Sequence, residues 1–392
     1  MNKFLQKILF IVLLFLPIVD QIYKLEENSP AVMIRAGVTV LMFVMLIPLV
    51  FKYRANNNKI SWHVILLLLY MAIVSILIDN GFSSAYSYTK ICYPLMGFLL
   101  VYYLTKYSLL DEKFFTAFIF LLIVVYGCIS FLNIGYRMEG RGLSHADNTG
   151  YSLVMLLGGV LLFSKKKTLF TLSIFIIVVG AVISGKRGAL IALIFGIIPL
   201  IKYILTSYSQ NSTRKISIIF VTIIVSILAL YWFGDFFEAS RTRFQSLGED
   251  GGSGRNMMYH LYWNQFLNSD LFHQIFGHGL FAGQISNGRR YAFIELLAHN
   301  DWLEMLYDFG VIGCILFVFV FVDIFRLIRK NRKIKDDEYY MLIIMGIIFG
   351  IKSILSSTFL MSPNTIYMFT LLAYSSANLE KRLLYNHQQL NA

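Results

Sequence analysis

The stretch "LLAHNDWLEMLYDFGVIG", residues 296–313, places a histidine where a long apolar run begins. Histidine takes up a proton near neutral pH more readily than other side chains, so His299 is a candidate general base; the simpler explanation is an interfacial polar residue. Asn300 is explained well as the cap of the following helix. Glu304 is a candidate for orienting His299 or a nearby arginine, although acids also favour the first turn of a helix for electrostatic reasons alone.

Several separate segments bring basic residues that suit an anionic ligand. Arg187 lies between glycines in "VISGKRGALIALIFG", and Arg255 opens "RNMMYHLYWNQF", a predicted surface helix whose free N–H groups favour an anion. Arg141 with His145, in "GRGLSHADN", and Arg290, in "SNGRRY", form two more basic clusters. Taken singly, these arginines are weak signals: a snorkelling arginine is the favoured explanation of Arg187, and a solvated loop arginine is the simpler explanation of Arg255. Together they indicate a site for a phospholipid or a lipid pyrophosphate, because guanidinium groups pair bidentately with phosphate oxygens.

The amino-acid composition indicates the kind of fold that positions these residues. The chain has 392 residues, of which 57% are hydrophobic and 14% are charged, and its mean hydropathy is +0.67. Soluble domains carry roughly 25% charged residues. Apolar stretches of roughly 20 residues, the length that crosses a bilayer core, recur along nearly the whole chain. The sequence therefore predicts an all-α, polytopic transmembrane bundle that forms one domain over residues 1–392.

About twelve membrane helices are predicted by this criterion. They span residues 4–20, 31–51, 60–79, 86–105, 114–134, 149–164, 167–184, 188–207, 216–234, 302–326, 339–358 and 363–380. The first run follows Lys3 without a small-residue cleavage site after it, so it is interpreted as a helix and not as a signal peptide. Residues 235–301 form the one large loop, and the spacing of Met258, Tyr262 and Phe266 predicts a short helix within it.

The orientation follows from the lysines and arginines, which short cytoplasmic loops retain. With both termini in the cytoplasm, the basic loops "FKYRANNNK", "SKKK" and "RLIRKNRKIKDDE" are cytoplasmic. This orientation places the arginine segments described above and the 235–301 loop on the extracytoplasmic side. Because the positive-inside rule disfavours arginine there, we expect these arginines to have another use. The formal net charge of +12 is spread over short loops and does not indicate a nucleic-acid partner.

The sequence lacks the motifs for several other kinds of site, namely disulfide, metal, nucleotide and serine-nucleophile sites. The three cysteines, Cys92, Cys128 and Cys314, lie in apolar stretches without C-x-x-C spacing, so no disulfide framework or metal site is predicted. Nucleotide-binding fingerprints, phosphate-binding loops and a serine nucleophile elbow are missing, and no cofactor is expected. Lys352, in "IIFGIKSILSSTF", is the one cation expected deep in a helix; it is either an ion-pair partner or a functional residue.

The order of "SGKRGALIALIFG", "SGRNMMYHLYWNQF", "IFGHGLF" and "HNDWLEMLYDFGVIGCILF" resembles the O-antigen ligase/polymerase family of bacterial envelope glycosyltransferases. The resemblance covers chiefly residues 180–325. It implies a GT-C-like helical fold in the bacterial inner membrane with a periplasmic active site. Substrates would be glycans on undecaprenyl pyrophosphate, serving as donor and acceptor among the membrane lipids, and transfer would invert the anomeric centre without metal or nucleotide.

The resemblance also implies roles for individual residues. Arg187 and Arg255 match the family's arginine positions and would bind the leaving pyrophosphate, while His299 matches the histidine of its H-N motif and would be the catalytic base. Arg290 and Arg141 are secondary candidates for phosphate or glycan contacts.

Polymerisation of lipid-linked repeat units is slightly favoured, because "RMEGRGLSHADN" would suit a second glycan. The alternatives are a ligase that transfers the glycan to lipid A core or to a protein, a lipid-linked-oligosaccharide flippase, and a purely structural membrane protein. A flippase would need more interior charge than Lys352, and a structural role leaves the outer arginines unused. The sequence leaves open whether a co-polymerase partner sets chain length.

Overall fold

The computed structural model describes residues 3–22, 30–52, 59–78, 85–140, 148–206, 255–283, 298–356 and 364–391. Within these ranges the chain is helical and contains no strand. The helices are α1 (Lys3–Ile22), α2 (Pro30–Lys52), α3 (Lys59–Leu77), α4 (Ala85–Lys106), α5 (Glu112–Gly140), α6 (Thr149–Val154), α7 (Lys167–Ile183), α8 (Arg187–Thr206), α9 (Arg255–Leu267), α10 (Leu271–Phe276), α11 (Asp301–Asn331), α12 (Asp337–Leu355) and α13 (Thr365–Asn391), with a 3₁₀ segment at Leu157–Phe163. The predicted all-α class is confirmed.

Seven helices within the described ranges are long and apolar enough to cross a membrane. They are Lys3–Ile22, Val32–Lys52, Lys59–Leu77, Glu112–Ile134, Arg187–Thr206, Asp301–Asn331 and Asp337–Leu355. Ile91–Lys106 and Lys167–Ile183 are shorter apolar helices. The chain is therefore a polytopic helical membrane protein, as predicted. The predicted span 216–234 lies outside the described residues.

The predicted span 149–164 differs from the expectation of one continuous helix. It consists of α6 followed by the 3₁₀ segment Leu157–Phe163. The adjacent Gly158 and Gly159 weaken an α-helix here. At about 1.5 Å per α-helical residue and about 2.0 Å per 3₁₀ residue, the two pieces rise on the order of 23 Å, less than a full bilayer core.

Helix α13 occupies the interior of the bundle, where it packs on α4 and α12. Because protein and not lipid surrounds it, this helix tolerates buried polar side chains. These are Thr365, Thr370, Ser375, Ser376 and Glu380. Helix α12 also packs on α8, and α11 packs on α3. We refer to the end of the bundle where α8 and α11 begin and α12 ends as the site end, and to the other as the opposite end.

Helix α11 breaks near the site end. Gly310 has φ 65° and ψ −170°, so a regular helix stops before it and a second one continues after it. A left-handed φ of this kind is readily accepted only by glycine. A Cβ at this position would also lie 2.3 Å from the carbonyl oxygen of Ile275, at the end of α10. The break therefore depends on glycine both for its backbone angle and for the close approach of α10.

The glycine-rich bend after α10 satisfies the backbone groups that the break in α11 exposes. The carbonyls of Tyr307 and Asp308 accept hydrogen bonds from the backbone N–H groups of His278 (3.0 Å) and Gly279 (2.9 Å). The buried Asp308 carboxylate accepts two more from the same bend, from the N–H groups of Phe281 (3.0 Å) and Gly283 (3.1 Å). A broken helix in a membrane protein needs such replacement partners, and here they fasten the loop to the first half of α11.

Candidate functional site

The start of α11 fixes the position of His299. The side-chain oxygen of Asn300 accepts hydrogen bonds from the N–H groups of Trp302 (3.0 Å) and Leu303 (3.2 Å), so Asn300 is the predicted helix cap. Glu304 accepts a 3.0 Å hydrogen bond from the backbone N–H of His299. It thereby holds the backbone of His299 and leaves the imidazole to other contacts.

His299 itself has an uncommon backbone conformation, with φ +52°. Non-glycine residues adopt this left-handed region rarely, and such strain is often found at functional sites. The strain here is offset by the hydrogen bond from its N–H to Glu304. The residue is exposed, so its imidazole is accessible to a ligand at the site end.

The electrostatic surroundings of His299 favour its neutral form. Desolvation by the surrounding chain, and then the positive charges of Arg255 and Lys186, lower the pKa of His299 below its ordinary value of 6.5. At neutral pH the imidazole is consequently unprotonated and able to accept a proton. Because their charges act on His299, Arg255 in α9 and Lys186 in the turn before α8 both lie near this histidine.

Arg255, the first residue of α9, is held at the end of α12. Its Nη1 donates a 2.8 Å hydrogen bond to the carbonyl oxygen of Leu355, the last residue of α12. Its side chain also hydrogen-bonds with the hydroxyl of Tyr151, which in turn interacts with Ser356. The carboxyl end of a helix carries partial negative charge and attracts a cation. A guanidinium has several N–H donors, and these two contacts do not by themselves exhaust them.

Tyr151 connects Arg255 with the start of α8. A Cβ at Gly188 would lie 2.1 Å from the Tyr151 hydroxyl oxygen, so this approach requires glycine. Arg187 is the residue before Gly188 and is half-buried. The first turn of α8 and the guanidinium of Arg255 therefore meet at one tyrosine hydroxyl, at the same end of the bundle as His299.

Of the residues selected from the sequence, the structure brings His299, Asn300, Glu304, Arg187 and Arg255 to the site end. The remaining candidates, Arg141, His145 and Arg290, lie outside the described residues. Their roles stay predictions.

Two participants were missed by the sequence reasoning. Lys186 lies beside Arg187 in "SGKRG", which was the available signal, and its charge acts on both His299 and Lys352. Nothing in the sequence pointed to Tyr151, because its partner Arg255 is distant along the chain. Among the described residues, no group of three His, Cys, Asp or Glu side chains is arranged to hold a metal ion.

The chemistry available at the site end follows from these residues. Fixed guanidinium groups bind phosphate oxygens, and a neutral imidazole beside them can accept a proton from a hydroxyl group. The protein is thus a multi-pass helical membrane protein with a cationic, imidazole-bearing site where several helices begin or end.

The family model described as O-antigen ligase matches residues 172–318, which is less than half of the chain. The matched segment contains Arg187, Arg255 and His299, and it supports the O-antigen ligase/polymerase family that the motifs resemble. That family comprises membrane glycosyltransferases of the ligase or polymerase type in O-antigen assembly. A comparison with curated proteins gave no match.

Proposed function

We propose that this protein polymerises oligosaccharide repeat units carried on undecaprenyl pyrophosphate, at the periplasmic face of the bacterial inner membrane. The observation that carries the proposal is the meeting of Arg255, Lys186 and the neutral His299 at one end of the bundle, beside the start of α8. The family match over this segment supports glycosyl transfer as the reaction class.

The proposed side of the membrane rests on the distribution of charge. The opposite end contains Lys165, Lys166 and the basic run "RLIRKNRKIKDDE", which ends α11 and leads into α12. Short cytoplasmic loops retain such residues, so the opposite end is placed in the cytoplasm and the site end in the periplasm. Both termini are cytoplasmic in this arrangement. The headgroup of a lipid-linked substrate in the outer leaflet would then lie at the level of Arg255 and His299.

In the proposed reaction, a hydroxyl oxygen of the acceptor glycan attacks the anomeric carbon of the donor sugar from the side opposite its phosphate. The new glycosidic C–O bond forms, the bond between the anomeric carbon and the phosphate oxygen breaks, and undecaprenyl pyrophosphate leaves with the bonding electrons. His299 takes the hydroxyl proton and later releases it to solvent. The anomeric centre is inverted.

The arginines would act on the leaving group. Negative charge collects on the pyrophosphate as the bond breaks, so cations fixed beside it stabilise the transition state more than the bound substrate. Arg255 is held in place by Leu355 and Tyr151 before substrate arrives, which lowers the cost of reorganisation. We assign the same role to Arg187.

A ligase is the second candidate, because the matched family model is described as O-antigen ligase. The two activities differ only in the acceptor. Purified protein in liposomes, given lipid-linked repeat units alone, should produce a ladder of longer lipid-linked glycans if it is a polymerase. Absence of a ladder, together with transfer once lipid A core is added, would establish the ligase and reject the polymerase. Absence of any transfer with either acceptor would reject both.

A further inference from the structure

Lys352 in α12 is a buried cation near the site end. Its residue is 2% exposed, and its Nζ lies 4.4 Å from the centre of the Tyr151 ring and 3.8 Å from Sδ of Met155. The carboxylate of Asp301, which is fully buried, attracts this ammonium group, and Lys186 repels it. A charge in such surroundings is costly unless it is paired, and a paired charge in a membrane helix commonly has a functional use.

The partners of Lys352 belong to the two halves of the proposed site. Asp301 begins α11 and follows His299 by two residues. Tyr151 places its ring over Lys352 and its hydroxyl against Arg255 and Gly188. Lys352 therefore lies between the helix start that carries the proposed base and the tyrosine that holds the proposed pyrophosphate-binding arginine.

Stability alone gives a weak reason for such an arrangement. Replacing two buried opposite charges by uncharged residues of similar volume is often neutral or stabilising, whereas removing one of them leaves the other uncompensated. The geometry has a more specific consequence: an ammonium group beneath an aromatic ring restricts the position of that ring through cation–π attraction. Any restriction on the Tyr151 ring is transmitted through its hydroxyl to Arg255.

We propose that Lys352 is a positioning residue for glycosyl transfer: attracted by the charge of Asp301, it fixes the Tyr151 ring and so keeps the Arg255 guanidinium directed at the leaving pyrophosphate. This inference rests on the proposed function; it adds Lys352 and Asp301 to the site and gives Tyr151 a positioning role. Lys352, Asp301 and Tyr151 act through Arg255 and do not touch the reacting atoms.

The first test uses the paired variant Lys352→Met/Asp301→Asn, which removes the cation and the carboxylate charge together. We expect it to fold and insert as the unmodified protein does, and kcat for transfer to fall on the order of 10²-fold, since small misplacement of a catalytic group has that effect. KM for the lipid-linked donor should change much less. Lys202→Met, an exposed lysine in α8, is the control and should leave kcat unchanged.

The second test asks whether Lys352 acts through Tyr151. Tyr151→Phe keeps the ring over the ammonium group and removes the hydroxyl that reaches Arg255, so it should lower kcat by a similar factor. Combining it with the paired variant should cause no further loss, because both changes interrupt the same connection. Lys352→Arg, which keeps a cation beneath the ring, should recover more activity than Lys352→Met.

The outcomes separate this inference from the function on which it rests. If the paired variant transfers glycan at the unmodified rate while Arg255→Ala is inactive, the positioning role is wrong and the proposed reaction stands. Multiplicative losses in the combined variant would also overturn it, since Lys352 would then act independently of Tyr151. If Arg255→Ala and His299→Ala both remain fully active, the proposed site itself is wrong.

Discussion

Arg255 at the site end is held differently from two cations at the opposite end of the helical bundle. At the opposite end, cations pair with carboxylates: Nζ of Lys106 lies 3.8 Å from Glu380, and Nη2 of Arg382 lies 2.7 Å from Glu338. At the site end, Arg255 is held by a backbone carbonyl and a tyrosine hydroxyl. A carboxylate cancels the charge of its partner, whereas neutral oxygens fix a guanidinium and leave its positive charge available to an anion.

Two histidines show the same contrast. His63, near the opposite end, lies 2.5 Å from the buried carboxylate of Asp323. His299 lies instead near the cations Arg255 and Lys186. The neighbouring cations of His299 favour its neutral form. The site end therefore combines an available positive charge with an available base, a combination suited to a phosphate leaving group and a hydroxyl nucleophile.

The largest effect is expected for His299→Ala. If His299 is the base, the transfer rate should fall about 10²- to 10⁴-fold, the usual contribution of general base catalysis, with membrane insertion unchanged. The measurement is the initial rate of glycan transfer in liposomes. His260→Ala, which alters an exposed histidine in α9, is the control and should retain full activity. A His299→Ala variant with the unmodified rate would remove the base from the mechanism.

Arg255→Lys tests whether the geometry of the cation matters as well as its charge. Lysine keeps the charge but lacks the forked donors that reach Leu355, Tyr151 and a phosphate together. We expect kcat/KM to fall on the order of 10²-fold, comparable to the loss of one oxyanion donor. Arg329→Lys, at an exposed position of the opposite end, should have no effect. Equal activity of the two variants would show that net charge is sufficient.

The ends of α11 also differ in their backbone, since the helix breaks at Gly310 near the site end and is regular toward the opposite end. Gly310→Ala should destabilise the protein by about 1–3 kcal/mol or more, because of its positive φ and the close Ile275 carbonyl. Gly350→Ala is a matched control: a Cβ there has no neighbour within 4 Å, so it should be neutral or slightly stabilising. Thermal unfolding in detergent measures both. Equal melting temperatures would contradict this role for Gly310.

Lys186→Met should have the smallest effect, a shift in the pH profile. The charge of Lys186 helps to lower the pKa of His299, so its removal raises that pKa toward 6.5. The base acts only when neutral, and activity is lost as the pH falls through this pKa. The acid limb of kcat/KM should therefore move to higher pH. Lys333→Met, an exposed residue at the opposite end, should leave the limb in place. If the acid limb of Lys186→Met stays at the same pH as that of the unmodified protein, the charge of Lys186 does not act on the catalytic base.

The sequence determined the helices of the bundle and the types of residue at its site. A bilayer requires about 20 apolar residues per crossing, so hydropathy alone located α1 to α4, α7, α8 and α12 within a few residues. It also located the starts of α5, α11 and α13, but these helices continue 6, 5 and 11 residues beyond their predicted ends. Asn300 was also predictable, because helix capping is a local interaction. The break after α6 was not predicted, since an apolar run looks the same whether it forms one helix or two shorter pieces.

The contacts between side chains of different helices became known only from the tertiary structure. Arg255 depends on Tyr151 and on the end of α12, and Lys352 depends on Asp301; these partners are distant in sequence and come together through helix packing. Hydrophobic periodicity specifies which residues face lipid or protein, but it carries no information about which helices become neighbours. For this reason His299 and Arg255 could be selected from the sequence, while their proximity and the contribution of Lys186 could not.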